Sequence, residues 1–263
     1  MIVDLNDLKV FQFELFSEQK GITHFITTRQ GGVSSGNLES LNFGGTVDDS
    51  INNLKENYQR LLNALNIERR QLIIPHQTHT NQVALLKYPD QFPSLGNIDA
   101  LVTNLKDIAI AVLVADCVPV ILYDPVKKVT GVVHSGWRGT CSRILTATID
   151  SMISAFNCNP PDILAGIGPS IGPESYEVGS EVIEAFSNAF DDSDDFIRHL
   201  PNGKGVLDLW TANQLQLEKI GLNKENVELA GICTYSNSDN FFSARKANPQ
   251  KSGRFMAGII MRS

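Results

Sequence analysis

The chain has 263 residues, 42% hydrophobic and 19% charged, enough to bury a full core without covalent staples and too apolar for a disordered polymer. A formal charge of −7 argues against a nucleic-acid polyanion as the main ligand, although a local basic patch is compatible with it. Four cysteines, at 117, 141, 158 and 233, form no C-x-x-C pair and suit reduced thiols of a cytosolic chain better than a disulfide framework.

The N-terminal MIVDLNDL carries acids where a secretion signal carries Lys or Arg. The longest apolar run, Ile108 to Ala115, is too short to span a bilayer, so a cytoplasmic protein with no membrane partner is expected. Residues 10–16 and 22–28 alternate apolar and polar about Gly21 and predict two strands in a hairpin. A Gly-rich loop follows. Ile51, Leu54, Tyr58, Leu61, Leu62 and Leu65 then recur at helical spacing, with Asp48, Asp49 or Ser50 as N-cap. LIIPHQTHTNQVALL reads as strand, polar interruption, strand. Residues 108–123 read as a buried strand broken by Asp116-Cys117 and Pro119, and Val129 to Val133 as another that ends at His134. Helices are predicted from Ile144 to Phe156, over 180–190, and over 208–220 with Asp208 as N-cap and Gly221 beyond the end; FMAGIIM predicts a last core strand. No composition break divides the chain, so one domain over 1–263 is expected. Strands and helices alternate without a strict βαβ beat, which predicts an α+β fold with mixed sheets.

Three of the five histidines lie in polar interruptions of apolar strands: His76 and His79 in PHQTHT, and His134 in HSGWRG. Cys117 occupies a third interruption, VADCVPV. Two imidazoles and a thiolate suit zinc and leave a fourth tetrahedral position open, as catalytic sites do. A lone buried Cys is more often a small hydrophobe, and an isolated His a hydrogen-bonded structural residue; Cys141, Cys158, Cys233, His24 and His199 are read so. The ligand positions 79, 117 and 134 match no compact zinc motif, so spacing alone leaves both readings of Cys117 open. There is no H-E-x-x-H, no H-x-E…P-C-x-x-C deaminase pattern and no phosphate-binding glycine loop. Gly31-Gly32 therefore reads as a turn, with Arg29 beside it able to reach an anion.

Taken in order, TTRQGGVS, LNFGGTVDD, HQTHT, ADCVPV, HSGWRGT, IGPSIGPESYEVG and FFSARK…GRF resemble the family once labelled polyphenol oxidases or laccases, also called peptidoglycan editing factor. The likeness runs from about Thr27 to Phe255. It implies a sandwich of mixed sheets with outer helices, and purine nucleoside phosphorylase activity with adenosine deaminase and methylthioadenosine phosphorylase activity at one site. It also implies zinc on His79, Cys117 and His134, where the liganding His follows a Gln by two positions and so picks His79 over His76. Arg29 matches the family's arginine before the Gly pair. Many members carry Cys in the loop where this chain has Glu174-Ser175.

The expected partners are thus purine nucleosides and phosphate. Deamination needs a proton donor, for which Asp116 and Glu174 are candidates; an extended backbone at Asp116 would turn its side chain away from that of Cys117. Phosphorolysis needs cations around the anion, which zinc, Arg29 and Arg138 could supply, though Arg138 reads equally as a structural residue at a helix start. Three rivals stand beside this reading. Copper-dependent phenol oxidation fits the older label, and copper outcompetes zinc for N/S ligands in vitro, but five histidines are few for a multicopper oxidase. A metal-free hydrolase could use Cys117 as nucleophile and His134 as base. A non-catalytic partner-binding protein is the third.

Overall fold

The apolar runs lie in strands buried on both faces, and this sorts them into two sheets. The computed structural model of the protein describes residues 1–89, 95–248 and 251–263. The first sheet runs Ile2–Leu5, Leu8–Phe11, Ile22–Thr27, Phe255–Met261, Ala109–Val114, Leu72–Ile73, antiparallel until its last pair, which is parallel. The second runs Val227–Leu229, Leu164–Ile167, Val118–Asp124, Val129–Ser135, Ala100–Thr103, Val83–Leu86, with antiparallel pairs at the centre and parallel pairs at both edges. A small antiparallel sheet of Glu177–Val178, Gly205–Leu207 and Ile197–His199 lies apart. The α+β class with mixed sheets predicted above is the observed one.

Alternation of side chains explains the layering. Ile110, Val112 and Val114 face Ile121, Tyr123 and Val132 in the layer between the sheets. Their neighbours Ala109 and Ala111 point the other way, toward Leu61, Leu62 and Leu65 of helix Ile51–Leu65. Val118, Val120 and Leu122 face helices Ile144–Phe156, Ser180–Ala189 and Leu209–Ile220 on the far side of the second sheet. Ser50 caps its helix by accepting from Asn53 N, Asp208 accepts from Trp210 N and Thr211 N, and Gly221 ends its helix at φ +103°, all at the predicted positions. Among the described residues, no helix is long and apolar enough to cross a membrane.

One element differs from the sequence reading. The strand expected over 10–16 ends at Phe11, and Glu14–Ser17 form a turn of helix. Its partner, Ile22–Thr27, forms as expected. Phe13 N donates to Nε2 of buried His24 at 2.8 Å, which takes this amide out of the ladder. Phe13 and Phe16 still reach the layer between the sheets, so the hydrophobic alternation survives a change of backbone.

The chain passes from the first sheet to the second twice, over 74–82 and over 115–117. Strand Val129–Ser135 ends beside the second crossing, with His134 paired to Pro119. Three polar interruptions, far apart in sequence, thereby meet at one end of the sandwich.

Candidate metal centre

The 74–82 crossing is built around one carboxylate. Asp99, fully buried, accepts the backbone N–H groups of Thr78 (3.2 Å), His79 (3.0 Å) and Thr80 (2.7 Å), together with the Thr80 hydroxyl (2.8 Å). Gln77 pins the same loop to the first sheet: its amide donates to the Leu113 carbonyl and accepts from the Leu113 N–H, both at 2.8 Å. Between these anchors His79 takes a left-handed backbone, φ +62°. That conformation costs a non-glycine residue roughly 1–2 kcal/mol and persists because the loop is over-determined.

At the second crossing Asp116 is also left-handed, φ +82°, so the backbone is not extended and the expected alternation of Asp116 and Cys117 does not apply. Its carboxylate accepts from Thr234 Oγ1 and from Arg245 N, each at 2.6 Å. Cys117 then projects toward His79, with Sγ 3.8 Å from Nε2. His134 completes the group, and one ligand atom from each of the three residues lies within 4.8 Å of the others. Gly136 is a steric requirement here: a Cβ on it would sit 2.9 Å from Cys117 Sγ and 3.0 Å from His79 Cδ2.

The electrostatics are those of a coupled acid and base. Burial disfavours the His134 imidazolium, but the Cys117 sulfur and the Asp99 carboxylate together raise its pKa to about 9. Burial likewise opposes the Cys117 thiolate, and His134 and His79 outweigh it, lowering the thiol to about 6. Burial pushes against ionised Asp99 too, yet hydrogen bonds from His134 and Thr80 hold it well below the usual carboxylate range.

These residues open into a cavity of about 570 Å³. Its walls include Leu113, Ile171 and Tyr176 and the cations Arg245 and Arg254. Other residues named from the sequence are placed elsewhere. Arg29 donates from Nε, Nη1 and Nη2 to the carbonyls of Glu39, Ser238 and Asn37 and stacks 4.5 Å over Phe242, in a separate depression. Arg138 is exposed and lies over Trp137, and Glu174 is exposed on a short 3-10 turn; neither lines the cavity. His76 lines it without joining the cluster. Sequence reasoning missed Asp99, Gly136, Tyr176, Arg245 and Arg254. The arginines sit within FFSARK and GRF, but nothing in those motifs distinguishes a site residue from a structural one.

Residues 23–262 match the family described as multi-copper polyphenol oxidoreductase laccase. The chain belongs to that family. It is 38% identical to a purine nucleoside phosphorylase of Bacteroides thetaiotaomicron over 99% of both chains. It is 36% identical to adenosine deaminase RL5 from an unidentified prokaryote, over 91% of this chain and 94% of that one. Among solved structures it resembles the hypothetical protein YfiH of Bacillus licheniformis, with a TM-score of 0.91 and 30% identity over 98% of each chain.

Proposed function

We propose that this protein is a zinc-dependent purine nucleoside phosphorylase that also deaminates adenosine and cleaves methylthioadenosine at the same site. The convergence of His79, Cys117 and His134 in a cavity that also presents an apolar wall and two arginines carries the proposal. The names of the two relatives support the substrate class. The donor set suits the metal: two imidazoles and a thiolate, with ligand atoms within 4.8 Å of one another and Nε2 of His79 3.8 Å from Sγ of Cys117. Bound there, zinc would supply Lewis-acid activation of an oxygen.

The chain's own groups do the rest. Asp99 engages Nδ1 of His134 and so reserves Nε2 for the metal. The apolar wall of Leu113, Val114 and Ile171, with the ring of Tyr176, offers a surface for a purine and excludes water from it. Asp116 has both oxygens engaged in holding the crossing, so it acts as a strut. The charge of −7 and four free cysteines support a cytoplasmic enzyme of small molecules with no nucleic-acid partner.

A second reading, a thiol hydrolase with Cys117 as nucleophile and His134 as base, is favoured by the lowered thiol pKa of about 6. Metal analysis separates the two. Copper in the same donors would give adventitious oxidase activity. The test is incubation of metal-quantified protein with adenosine and phosphate, followed by chromatography. Inosine reports deamination; adenine with ribose 1-phosphate reports phosphorolysis. No turnover of adenosine, inosine or guanosine by the zinc-loaded protein rejects the proposal.

A further inference from the structure

We infer that Arg245 grips the phosphate co-substrate and that Asp116 is its positioning residue; the inference rests on the phosphorylase reading above. In phosphorolysis a phosphate oxygen bonds to ribose C1′ as the C1′–N9 bond breaks. The bonding pair leaves with the purine, and the proton carried by HPO₄²⁻ ends on the purine nitrogen. The cavity must therefore hold a doubly charged anion near the sugar, whereas deamination consumes water and needs no such group.

Of Arg29, Arg138, Arg245 and Arg254, only the last two line the cavity, and their hydrogen bonds separate them. Arg29 has spent its donors on three carbonyls outside the cavity. Arg138 does not line the cavity. Arg254 lines the cavity too, but it is largely buried: Nη1 carries two carbonyls, those of Ser252 (2.7 Å) and Gly253 (3.0 Å), its stem packs on Gly44, and its charge already faces Cys117 and Asp116. Arg245 lines the cavity, and among the described residues its guanidinium makes one hydrogen bond, from Nη1 to the Glu177 carbonyl at 2.9 Å. That leaves Nε and Nη2, two adjacent donors in the fork that matches a phosphate edge.

The same arginine is held from three sides. Its guanidinium lies 5.0 Å from the centre of the Tyr176 ring. The Glu177 carbonyl fixes Nη1. Asp116 Oδ2 accepts its backbone N–H at 2.6 Å, at the start of the short helix Ala244–Ala247 that Ser243 caps. Since Asp116 immediately precedes Cys117, one crossing sets both the metal ligand and the anion grip. That common origin fixes where phosphate sits relative to the metal.

The test is steady-state kinetics of inosine phosphorolysis and adenosine deamination on zinc-quantified wild type, Arg245→Gln, Arg245→Lys, Asp116→Asn and the Arg245→Gln/Asp116→Asn double variant, with calorimetric titration of inorganic phosphate into each. Loss of a charge-assisted bidentate contact predicts a phosphate KM raised roughly 10- to 100-fold in Arg245→Gln, with KM for inosine nearly unchanged. The ratio of phosphorolysis to deamination at low phosphate falls by the same factor, and Arg245→Lys lies between. Asp116→Asn raises the phosphate KM severalfold in the presence of Arg245 and has no further effect in the double variant. Unchanged phosphate KM and unchanged calorimetric binding in Arg245→Gln overturn the inference, as does a parallel rise in both KM values. A wild type that binds phosphate through Arg245 but turns over no nucleoside refutes the phosphorylase reading and leaves the anion site standing.

Discussion

Nδ1 of His134 and Oδ1 of Asp99 are 2.7 Å apart, in side chains 4% and 0% exposed. A hydrogen bond this short and dry fixes which imidazole nitrogen is left for a metal, and the same carboxylate carries the loop that presents His79. Asp99 therefore organises two of the three residues proposed to hold zinc, His79 and His134. Asp99→Asn keeps the shape but removes the charge, and should weaken zinc binding roughly 10- to 100-fold. Competition against a chromophoric chelator measures this; an unchanged affinity would reduce Asp99 to a loop anchor.

Gly136 offers a purely steric test. Its φ of −71° and ψ of 170° suit alanine, so Gly136→Ala puts no strain on the backbone. The added methyl meets Cys117 Sγ and His79 Cδ2, and pushing those ligands aside should cost about 1–3 kcal/mol of binding, or roughly 5- to 150-fold in metal affinity. The metal-free variant should still unfold cooperatively, its thermal midpoint lowered only by the side-chain shifts that the methyl forces. A full zinc complement at wild-type affinity would mean that the ligands sit elsewhere.

The sequence displayed the His79, Cys117 and His134 cluster because each residue lies in a polar interruption of an apolar strand, and a polar break in a buried strand needs a reason. It displayed the helices through Ser50, Asp208 and Gly221, whose effects are local. What it hid is whatever depends on long-range placement. Asp99 reads as one more acid before a strand until the 74–82 loop closes around it. Arg29 stands beside a glycine turn and reads as an anion contact, yet three backbone carbonyls claim its guanidinium. Arg245 gains its place from Asp116, 129 residues away. The helical turn Glu14–Ser17 was likewise hidden, because the partner that takes the Phe13 amide is a side chain on another strand.

Without metal, Cys117 should be the most reactive of the four cysteines. His134 at about 9 and Cys117 at about 6 keep the pair as imidazolium and thiolate at pH 7, while burial raises the thiols of Cys141 and Cys158; Cys233, lowered against burial by hydrogen bonds from Ser236 and Gly172, has no imidazolium beside it. Peptide mass spectrometry after brief iodoacetamide treatment should find Cys117 labelled first, with a rate midpoint near pH 6, and stoichiometric zinc should protect it. Labelling that begins at another cysteine, or that zinc fails to slow, would contradict the described pairing.

Stability should fall in mild acid because of His24. Burial, aided by the N-terminal ammonium, lowers its pKa from 6.5 to about 4. The unfolded chain thus takes up a proton at higher pH than the folded one. The contribution is complete above pH 6.5 and is lost as pH drops through 4. Between pH 7.5 and 5 this amounts to about 2 kcal/mol. Urea unfolding at both values should show the loss in wild type and a flatter response in His24→Gln, whose amide oxygen can still accept from Phe13 N. Equal pH dependence in the two proteins would assign the acid sensitivity to other groups.

Elemental analysis of metal per chain, run on the same samples as the inosine phosphorolysis assay, bears most directly on the site. Wild type should hold close to one zinc, and His79→Ala, Cys117→Ala and His134→Ala should each lose the ion and the activity together. Retention of a full equivalent of metal by any of the three, or undiminished turnover in a variant that has lost it, would contradict the account.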